Sequence, residues 1–174
     1  KEKLRTKVLI WGYITERYDF ELISNLISEN QYNTFYLVGE TNKKCRKILH
    51  DLSKKHKNIV IKGPTNLSDL PVTEFCASLT VYKNDVNSIE SITVTNKAFQ
   101  LLSYGIPLIV HGMPNFMKNK AIFICKDKNM INKSIQYCHQ NIDKLQKYIS
   151  MLVIENSENN RLDEFTEIIN KLKF

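Results

Sequence analysis

The sequence predicts an α/β fold: a Rossmann-like, doubly wound parallel sheet of about six strands with helices on both faces. Two observations support this fold class. Short apolar runs alternate along the chain with segments in which apolar residues recur every three or four positions, the pattern of buried strands and amphipathic helices. The 174 residues are 43% hydrophobic and 25% charged, which suffices for one domain with a proper core. We therefore expect residues 1–174 to form a single domain.

The apolar runs predict the strands. Gly12, Gly39 and Gly63 follow the first three runs, and glycine commonly punctuates such elements. The runs are continuously apolar rather than alternating, which is typical of parallel strands buried on both faces. The predicted strands lie near residues 7–11, 34–38, 59–62, 79–82, 107–110 and 121–125.

The segments between the strands predict helices. Asp19 is a suitable N-cap for a helix whose apolar stripe runs from Phe20 to Ile27. Residues 42–56 form a basic amphipathic pattern, and a proline at the first position predicts a short helix over residues 71–76. A further helix is predicted over residues 96–104, where a glycine ends the pattern.

One long apolar seam follows the sixth predicted strand. Its members are spaced by three and four residues, which predicts a helix of several turns that packs on the sheet; the seam is too short to favour a coiled coil. The seam consists of Ile131, Ile135, Cys138, Ile142, Leu145, Ile149 and Leu152. A polar break at residues 156–160 precedes a last predicted helix over residues 160–174, whose apolar face contains Leu162, Phe165, Ile169 and Leu172.

The charge balance narrows the classes of partner. The formal net charge is +7, but of the 25 basic residues only 4 are arginine, the residue that proteins use most to read phosphates and bases. Lysine-bearing faces in contact with solvent explain the excess, and we expect no specific nucleic-acid partner. A phosphorylated ligand, or peripheral association with a membrane surface, is the alternative that the charge leaves open. No run of about 18 apolar residues occurs, so no segment is expected to span a membrane.

Several chemistries lack their sequence signatures. The four cysteines form no CxxC pair, so we expect reduced, buried thiols and no metal site. The patterns GxGxxG, GxxxxGK[ST], GxSxG and HExxH are absent, and the third strand ends in Lys62 rather than in the aspartate of a response-regulator receiver. His111 follows a predicted strand, but a lone histidine there is more often a hydrogen-bond partner than a ligand.

The candidate site lies at the carboxyl ends of the strands, where doubly wound sheets bind ligands. The helix beginning near Thr95 offers free backbone N–H groups and a positive dipole end to an anion. Lys97 adds a positive charge to this first turn, and Gln100 lies one turn further along the same face. The alternative is simple capping by Thr95 or Asn96, with Lys97 in solvent.

The segment Val94–Ile109 resembles the P-x-K-x-x-E-x-L-A-x-G-x-P-V-V stretch in the C-terminal half of GT-B glycosyltransferases, especially the retaining, family-four-like ones. Other pieces follow in that family's order. Residues 8–23 resemble its opening glycine-containing strand and helix, residues 35–39 its second strand, residues 58–71 its third strand and Leu-Pro turn, and residues 155–161 the start of its last helix. The resemblance covers nearly the whole chain.

This resemblance implies that the chain is the C-terminal half of a two-domain enzyme whose N-terminal acceptor domain is absent. That half binds a nucleotide-diphospho-sugar donor, whose sugar is transferred to an acceptor hydroxyl. Basic side chains and a helix N-terminus neutralise the diphosphate, without an obligatory metal or other cofactor. No catalytic residue is assigned. The matching donor-binding residues are Gly12, Arg17, Gly63, Thr95, Lys97 and Gln100.

We also expect a cytoplasmic protein, at the inner face of the membrane if it associates with one, that serves cell-surface polysaccharide or glycoconjugate synthesis. The last predicted helix is expected to cross back towards the partner domain. Four positions depart from the family pattern: Gln100 stands where the family has Glu, Ile92 where it has an earlier acidic residue, Asn96 where it has Pro, and Ser78 where Asp is common. These departures support the alternative of a noncatalytic Rossmann-like binding module that has lost the donor site.

Overall fold

The computed structural model describes residues 5–84, 89 and 91–157, and these contain a six-stranded sheet. Every strand pairing is parallel, and the order is β3-β2-β1-β4-β5-β6. This is the order of a doubly wound Rossmann-like sheet, so the predicted fold class is confirmed. The strands are β1 (Lys7–Trp11), β2 (Thr34–Val38), β3 (Ile59–Lys62), β4 (Phe75–Val81), β5 (Leu108–His111) and β6 (Ile122–Cys125).

Five α-helices accompany the sheet within the described residues. They are α1 (Phe20–Glu29), α2 (Lys43–Lys55), α3 (Asn96–Ser103), α4 (Lys128–Gln140) and α5 (Ile142–Glu155). The chain crosses from β1 towards β3 in one direction and from β4 towards β6 in the other, and right-handed crossovers therefore place α1 and α3 on opposite faces. Accordingly, α4 packs against α1, whereas α5 packs against α3.

The fourth strand begins earlier than the sequence predicts. The predicted short helix over residues 71–76 is wrong: only Val72–Glu74 form a single 3₁₀ turn, and Phe75 and Cys76 already belong to β4. Phe75 pairs with Lys7 of β1, and all residues of β4 are buried. Burial of two apolar side chains in the centre of the sheet outweighs the helix-initiating preference of a proline.

The apolar seam after β6 belongs to two helices rather than to one. The prediction of a single helix is wrong because Asn141 departs from helical geometry, at φ −126° and ψ 24°. Its side-chain amide donates to the Tyr137 carbonyl at 3.0 Å, which ends α4 as a local cap. The seam continues in α5 through Leu145 and Ile149, both buried. The predicted helix over residues 160–174 lies outside the described residues.

Side-chain caps fix the starts of four helices. Asp19, Asn42, Thr95 and Asp127 each accept a hydrogen bond from a backbone N–H in the first turn that follows. The core between the sheet and the two helical layers is apolar, with Phe35, Phe75 and many aliphatic side chains fully buried. None of the helices among the described residues has the length and apolarity needed to cross a bilayer.

Candidate active site at the carboxyl edge of the sheet

The loops after β1 and β2 run side by side at the carboxyl edge. The Gly12 N–H donates to the Val38 carbonyl at 3.0 Å, and the Ile14 N–H donates to the Glu40 carbonyl at 2.9 Å. Gly39 permits this approach, because a Cβ atom built on it would lie 1.7 Å from the Gly12 carbonyl oxygen. The backbone at the end of β1 is therefore fixed in space by its neighbour.

The loop after β1 also contacts the end of β4. Tyr18 and Tyr82 form an isolated antiparallel bridge, and the Lys83 N–H donates to the Arg17 carbonyl at 3.0 Å. These contacts lie between β1 and β4, where the chain reverses its direction across the sheet. That switch point is the position at which open α/β sheets bind ligands.

Lys97 extends from the first turn of α3 into this switch point. Its Nζ donates to the Tyr18 hydroxyl at 3.2 Å and lies 5.8 and 6.0 Å from the ring centroids of Tyr18 and Tyr82. The Lys97 side chain crosses Gly12: a Cβ atom there would lie 3.0 Å from Cδ and 4.0 Å from Nζ. The sequence alternative of Lys97 in solvent is wrong, because its side chain lies against two tyrosines and a glycine.

The surroundings of Lys97 disfavour its positive charge and do not pair that charge with a carboxylate of the described residues. Burial lowers the pKa of Lys97, and the electrostatic effect of Tyr82 offsets this only in part. Burial also raises the pKa of Tyr18 to about 12, so that phenol is neutral at ordinary pH. Lys97 forms no salt bridge with a carboxylate in the parts of the chain that the structure describes. An anion entering the site would supply a counter-charge to Lys97.

Arg17 lies near the same volume, although its side chain is exposed. Burial raises the pKa of Tyr82, and the positive charges of Lys97 and, more weakly, Arg17 lower it. Both cations therefore act on one phenol at the end of β4. The neighbouring Glu16 carboxylate is held by the Asn42 amide at 2.8 Å.

Thr95 is the N-cap of α3. Its hydroxyl oxygen accepts from the Ala98 N–H at 3.2 Å, so the capping role that the sequence offers as an alternative is present. Capping fixes where the helix begins and so places Lys97 in the first turn. The positive end of the helix dipole then points to the same region as the Lys97 ammonium.

Gly63 and Gln100 lie further from this cluster. Gly63 follows β3, two strands away from β1, and the loop containing it is tied to β1 by the Trp11 indole, whose N–H donates to the Thr65 carbonyl at 2.9 Å. Gln100 lies one turn along α3 from Lys97, and its side chain is exposed. The structure thus brings Gly12, Thr95 and Lys97 together with Arg17 nearby, while the roles of Gly63 and Gln100 in donor binding stay predictions.

Sequence reasoning missed Tyr18 and Tyr82. Tyr82 directly follows β4, so the rule that points to residues after strands applies to it. Tyr18 precedes the N-cap of α1 and gives no comparable signal, because an aromatic residue at that position usually belongs to the core. Its participation depends on the fold of the loop after β1.

Other polar candidates have structural roles. The buried His111 is the last residue of β5, and its Nδ1 lies 2.9 Å from the Cys125 carbonyl oxygen, the backbone contact that the sequence favours. All four cysteines are buried and unpaired. Across residues 5–84, 89 and 91–157, no group of three or more His, Cys, Asp and Glu side chains could hold a metal ion.

A separate cavity of about 610 Å³ lies at the opposite, amino edge of the sheet. Residues before β1 and β2 line it, together with Tyr32, Lys133 and His139. None of the six sequence-predicted site residues lines this cavity. It is therefore distinct from the switch-point cluster.

The fold is shared with solved glycosyltransferases. No protein-family model matches the sequence, and no curated protein is detectably similar to it. The chain is similar to the pneumococcal O-GlcNAc transferase GtfA in complex with UDP and GlcNAc, at 11% identity and a TM-score of 0.62 over 97% of this chain and 36% of that one. It is similar to Anabaena HepE in complex with UDP and glucose, at 8% identity and a TM-score of 0.70 over 97% of this chain and 49% of that one.

The catalytic domain of the cholesterol-α-glucosyltransferase from Helicobacter pylori is a third similar structure, at 11% identity and a TM-score of 0.66 over 88% of this chain and 99% of that one. The chain spans about a third of the length of GtfA and about half that of HepE. At these identities the likeness establishes the fold. The chain therefore has the Rossmann-like fold of these glycosyltransferase structures, and at the level of the fold the resemblance seen in the sequence is confirmed.

Proposed function

We propose that this domain binds the nucleotide-diphospho-sugar donor of a glycosyltransferase. The observation that carries the proposal is the Lys97 ammonium, which is partly buried at the switch point with no carboxylate partner in the described parts of the chain. Burial of a charge without a counter-ion is costly, and a bound anion that supplies the opposite charge would offset that cost. Diphosphate is the anion that this fold class binds at helix N-termini.

In the proposed reaction the glycosyl group passes from the donor to an acceptor hydroxyl, and the nucleoside diphosphate leaves with additional negative charge. Lys97, the N-terminal N–H groups of α3 and the nearby Arg17 would stabilise that charge as it develops. Fixed positive groups in a partly desolvated site are usually the largest single contribution to such catalysis. The acceptor side belongs, in this proposal, to a second domain.

The similar structures support the nucleotide assignment. GtfA and HepE are both described in complex with UDP, and GtfA, HepE and the Helicobacter pylori enzyme share this fold. We extend the UDP-binding role to this chain as part of the proposal. Within it, the whole protein contributes to cell-surface polysaccharide or glycoconjugate synthesis, and the identity of the sugar is left to experiment.

Calorimetric titration of the purified chain with UDP, GDP and their sugar conjugates tests the proposal. We expect one nucleotide to bind, and Lys97→Ala to weaken its binding by roughly 1.5–3 kcal/mol, the contribution of a hydrogen bond to a charged group. Lys133→Ala is the matched control, since Lys133 is an exposed lysine at the amino-edge cavity and should leave binding unchanged. Equal binding by the wild type and Lys97→Ala would refute the assignment of this site.

A noncatalytic binding module is the second candidate, and two residues favour it. Gln100 is neutral where the glycosyltransferase pattern has Glu, and Ile92 packs against the hydrophobic core where that pattern has an earlier acidic residue. A site without these carboxylates would hold the ribose hydroxyls less strongly. This candidate predicts that neither UDP nor GDP, nor a sugar conjugate of either, produces heat on titration.

A further inference from the structure

We propose that Tyr18 and Tyr82 are positioning residues, whose phenols hold the Lys97 ammonium above Gly12 so that it meets an incoming phosphate group. This inference rests on the proposed donor-binding function. Its geometric basis is the 3.2 Å contact between Lys97 Nζ and the Tyr18 hydroxyl, together with the two tyrosine rings within about 6 Å of the same nitrogen.

The rings of the two tyrosines are held in fixed positions beside Lys97. Tyr18 is fully buried, and its ring meets the Tyr82 ring edge-on, with centroids 4.9 Å apart and an interplanar angle of 69°. The Phe20 ring also lies beside Tyr18, at a centroid distance of 6.4 Å. The backbone bridge between Tyr18 and Tyr82 joins the loop after β1 to the end of β4, which fixes both rings relative to the sheet.

A lysine benefits from fixed neighbouring groups because its side chain is long and flexible. Four rotatable bonds separate the ammonium from the backbone, and ordering them on ligand binding weakens affinity. Here the stem of Lys97 already lies over Gly12, where the absence of a side chain leaves it room. The Tyr18 hydroxyl then fixes the far end of the side chain, so the ordering takes place in the free protein.

Phenols suit this purpose better than carboxylates. A carboxylate would position the ammonium equally well but would neutralise it and would repel a phosphate. Tyr18 is neutral, since burial raises its pKa, and it accepts from the ammonium without cancelling its charge. Glu16, an acidic residue in the loop after β1, accepts a hydrogen bond from the Asn42 amide. Arg17 adds positive charge to the surroundings of Tyr82.

The inference predicts that Tyr18 acts on ligands only through Lys97. Replacing Tyr18 by Phe keeps the ring and its packing and removes the hydroxyl. Loss of that hydrogen bond should weaken UDP binding about two- to tenfold in the wild-type background. In the Lys97→Met background the same replacement should have no further effect. A purely structural role of Tyr18 would weaken binding equally in both backgrounds.

Nuclear magnetic resonance of the nucleotide-free chain tests the arrangement independently of ligand binding. A hydrogen-bonded, partly buried ammonium should give a ¹⁵Nζ–H signal near neutral pH, assigned by its loss in Lys97→Met. Tyr18→Phe should accelerate the exchange of the Lys97 Nζ–H protons with water several-fold. Tyr82→Phe is a second variant to measure, and it also preserves the aromatic ring. Tyr104→Phe is the control, because Tyr104 is 41% exposed just beyond the last residue of α3.

The two experiments separate the possible failures. If UDP, GDP and their conjugates do not bind the wild type, the proposed function fails, and the exchange measurement still decides whether the tyrosines hold Lys97. If UDP binds and depends on Lys97, but Tyr18→Phe weakens it equally in the Lys97→Met background, the positioning role is overturned and the donor site stands. An unchanged exchange rate in Tyr18→Phe likewise overturns the positioning role.

Discussion

The carbonyl oxygen of Gly12 lies 1.7 Å from the point that a Cβ atom on Gly39 would occupy. Gly39 also has a φ of +151°, which residues with a side chain rarely adopt. The loop after β1 can therefore lie against the end of β2 only because residue 39 is glycine. Since the Lys97 side chain crosses Gly12, the contact between Gly12 and Gly39 fixes the backbone beneath Lys97 in the candidate site.

We predict that Gly39→Ala destabilises the fold by roughly 2–5 kcal/mol, the combined effect of backbone strain and overpacking. The free energy of unfolding is measured by urea denaturation, with the fluorescence of Trp11 as the signal. Gly63→Ala is the matched control: it also follows a strand, but an added Cβ would contact nothing within 4 Å. We expect Gly63→Ala to change stability by less than about 0.5 kcal/mol. Similar effects of the two replacements would contradict the prediction.

The sequence predicts the fold well because burial in a parallel sheet leaves a local signal. Strand β1 has the predicted bounds, Lys7–Trp11. Local pattern fails where the deciding contact is distant: Phe75 is a strand residue because it pairs with Lys7, and a proline four positions earlier reports nothing of that pairing. The break at Asn141 is equally hidden, since the apolar seam continues on both sides of it.

In the candidate site, too, some residues can be predicted from the sequence and others cannot. Lys97 is predictable, because a helix start after a buried strand is visible in the sequence. The Tyr18 hydroxyl is not, because its contact with Lys97 spans 79 positions and depends on the loop after β1 lying against the end of β4. A candidate site residue such as Lys97, which is marked by its position at a helix start, can be found from the sequence. A residue such as Tyr18, which orients another side chain, can be found only from the tertiary structure.

We predict that the thiols are unreactive in the folded protein. All four cysteines are buried, and burial raises the pKa of Cys76 to about 12 and also raises the pKa of Cys125 and Cys138. The thiolate is the reactive form, so a disulfide reagent should label no cysteine under native conditions and all of them in urea. Stoichiometric labelling of any cysteine without loss of structure would contradict this prediction.

We predict a loss of stability below about pH 6.5 that originates at His56. Its Nε2 lies 2.9 Å from the Ser24 hydroxyl, which accepts from Lys55 Nζ at 3.0 Å and still has its own proton to donate to a neutral imidazole. Burial, and secondarily the Lys55 charge, lowers the pKa of His56 from 6.5. The unfolded chain therefore binds a proton first as pH falls, and acid favours unfolding.

The pH prediction is checked by measuring the free energy of unfolding of wild type and His56→Gln between pH 7.5 and 5. Glutamine accepts a hydrogen bond through its amide oxygen but does not titrate. The wild type should lose more stability than the variant over this range, with the difference growing as the pH falls. Parallel curves would show that the pH dependence originates elsewhere.

The last prediction concerns Gln100, which lies one turn of α3 beyond Lys97 with its side chain exposed. We predict that Gln100→Glu strengthens nucleotide binding, because a carboxylate accepts hydrogen bonds from ribose hydroxyls roughly twice as strongly as a neutral amide. The expected gain is about 0.5–1.5 kcal/mol, measured by calorimetry with the nucleotide that binds the wild type. Lys97→Ala should weaken the variant as it weakens the wild type, since Lys97 acts on the diphosphate. A 2′,3′-dideoxy nucleotide is the control, because it lacks the hydroxyls and should bind wild type and variant alike. Unchanged affinity for the intact nucleotide would remove Gln100 from the ribose site.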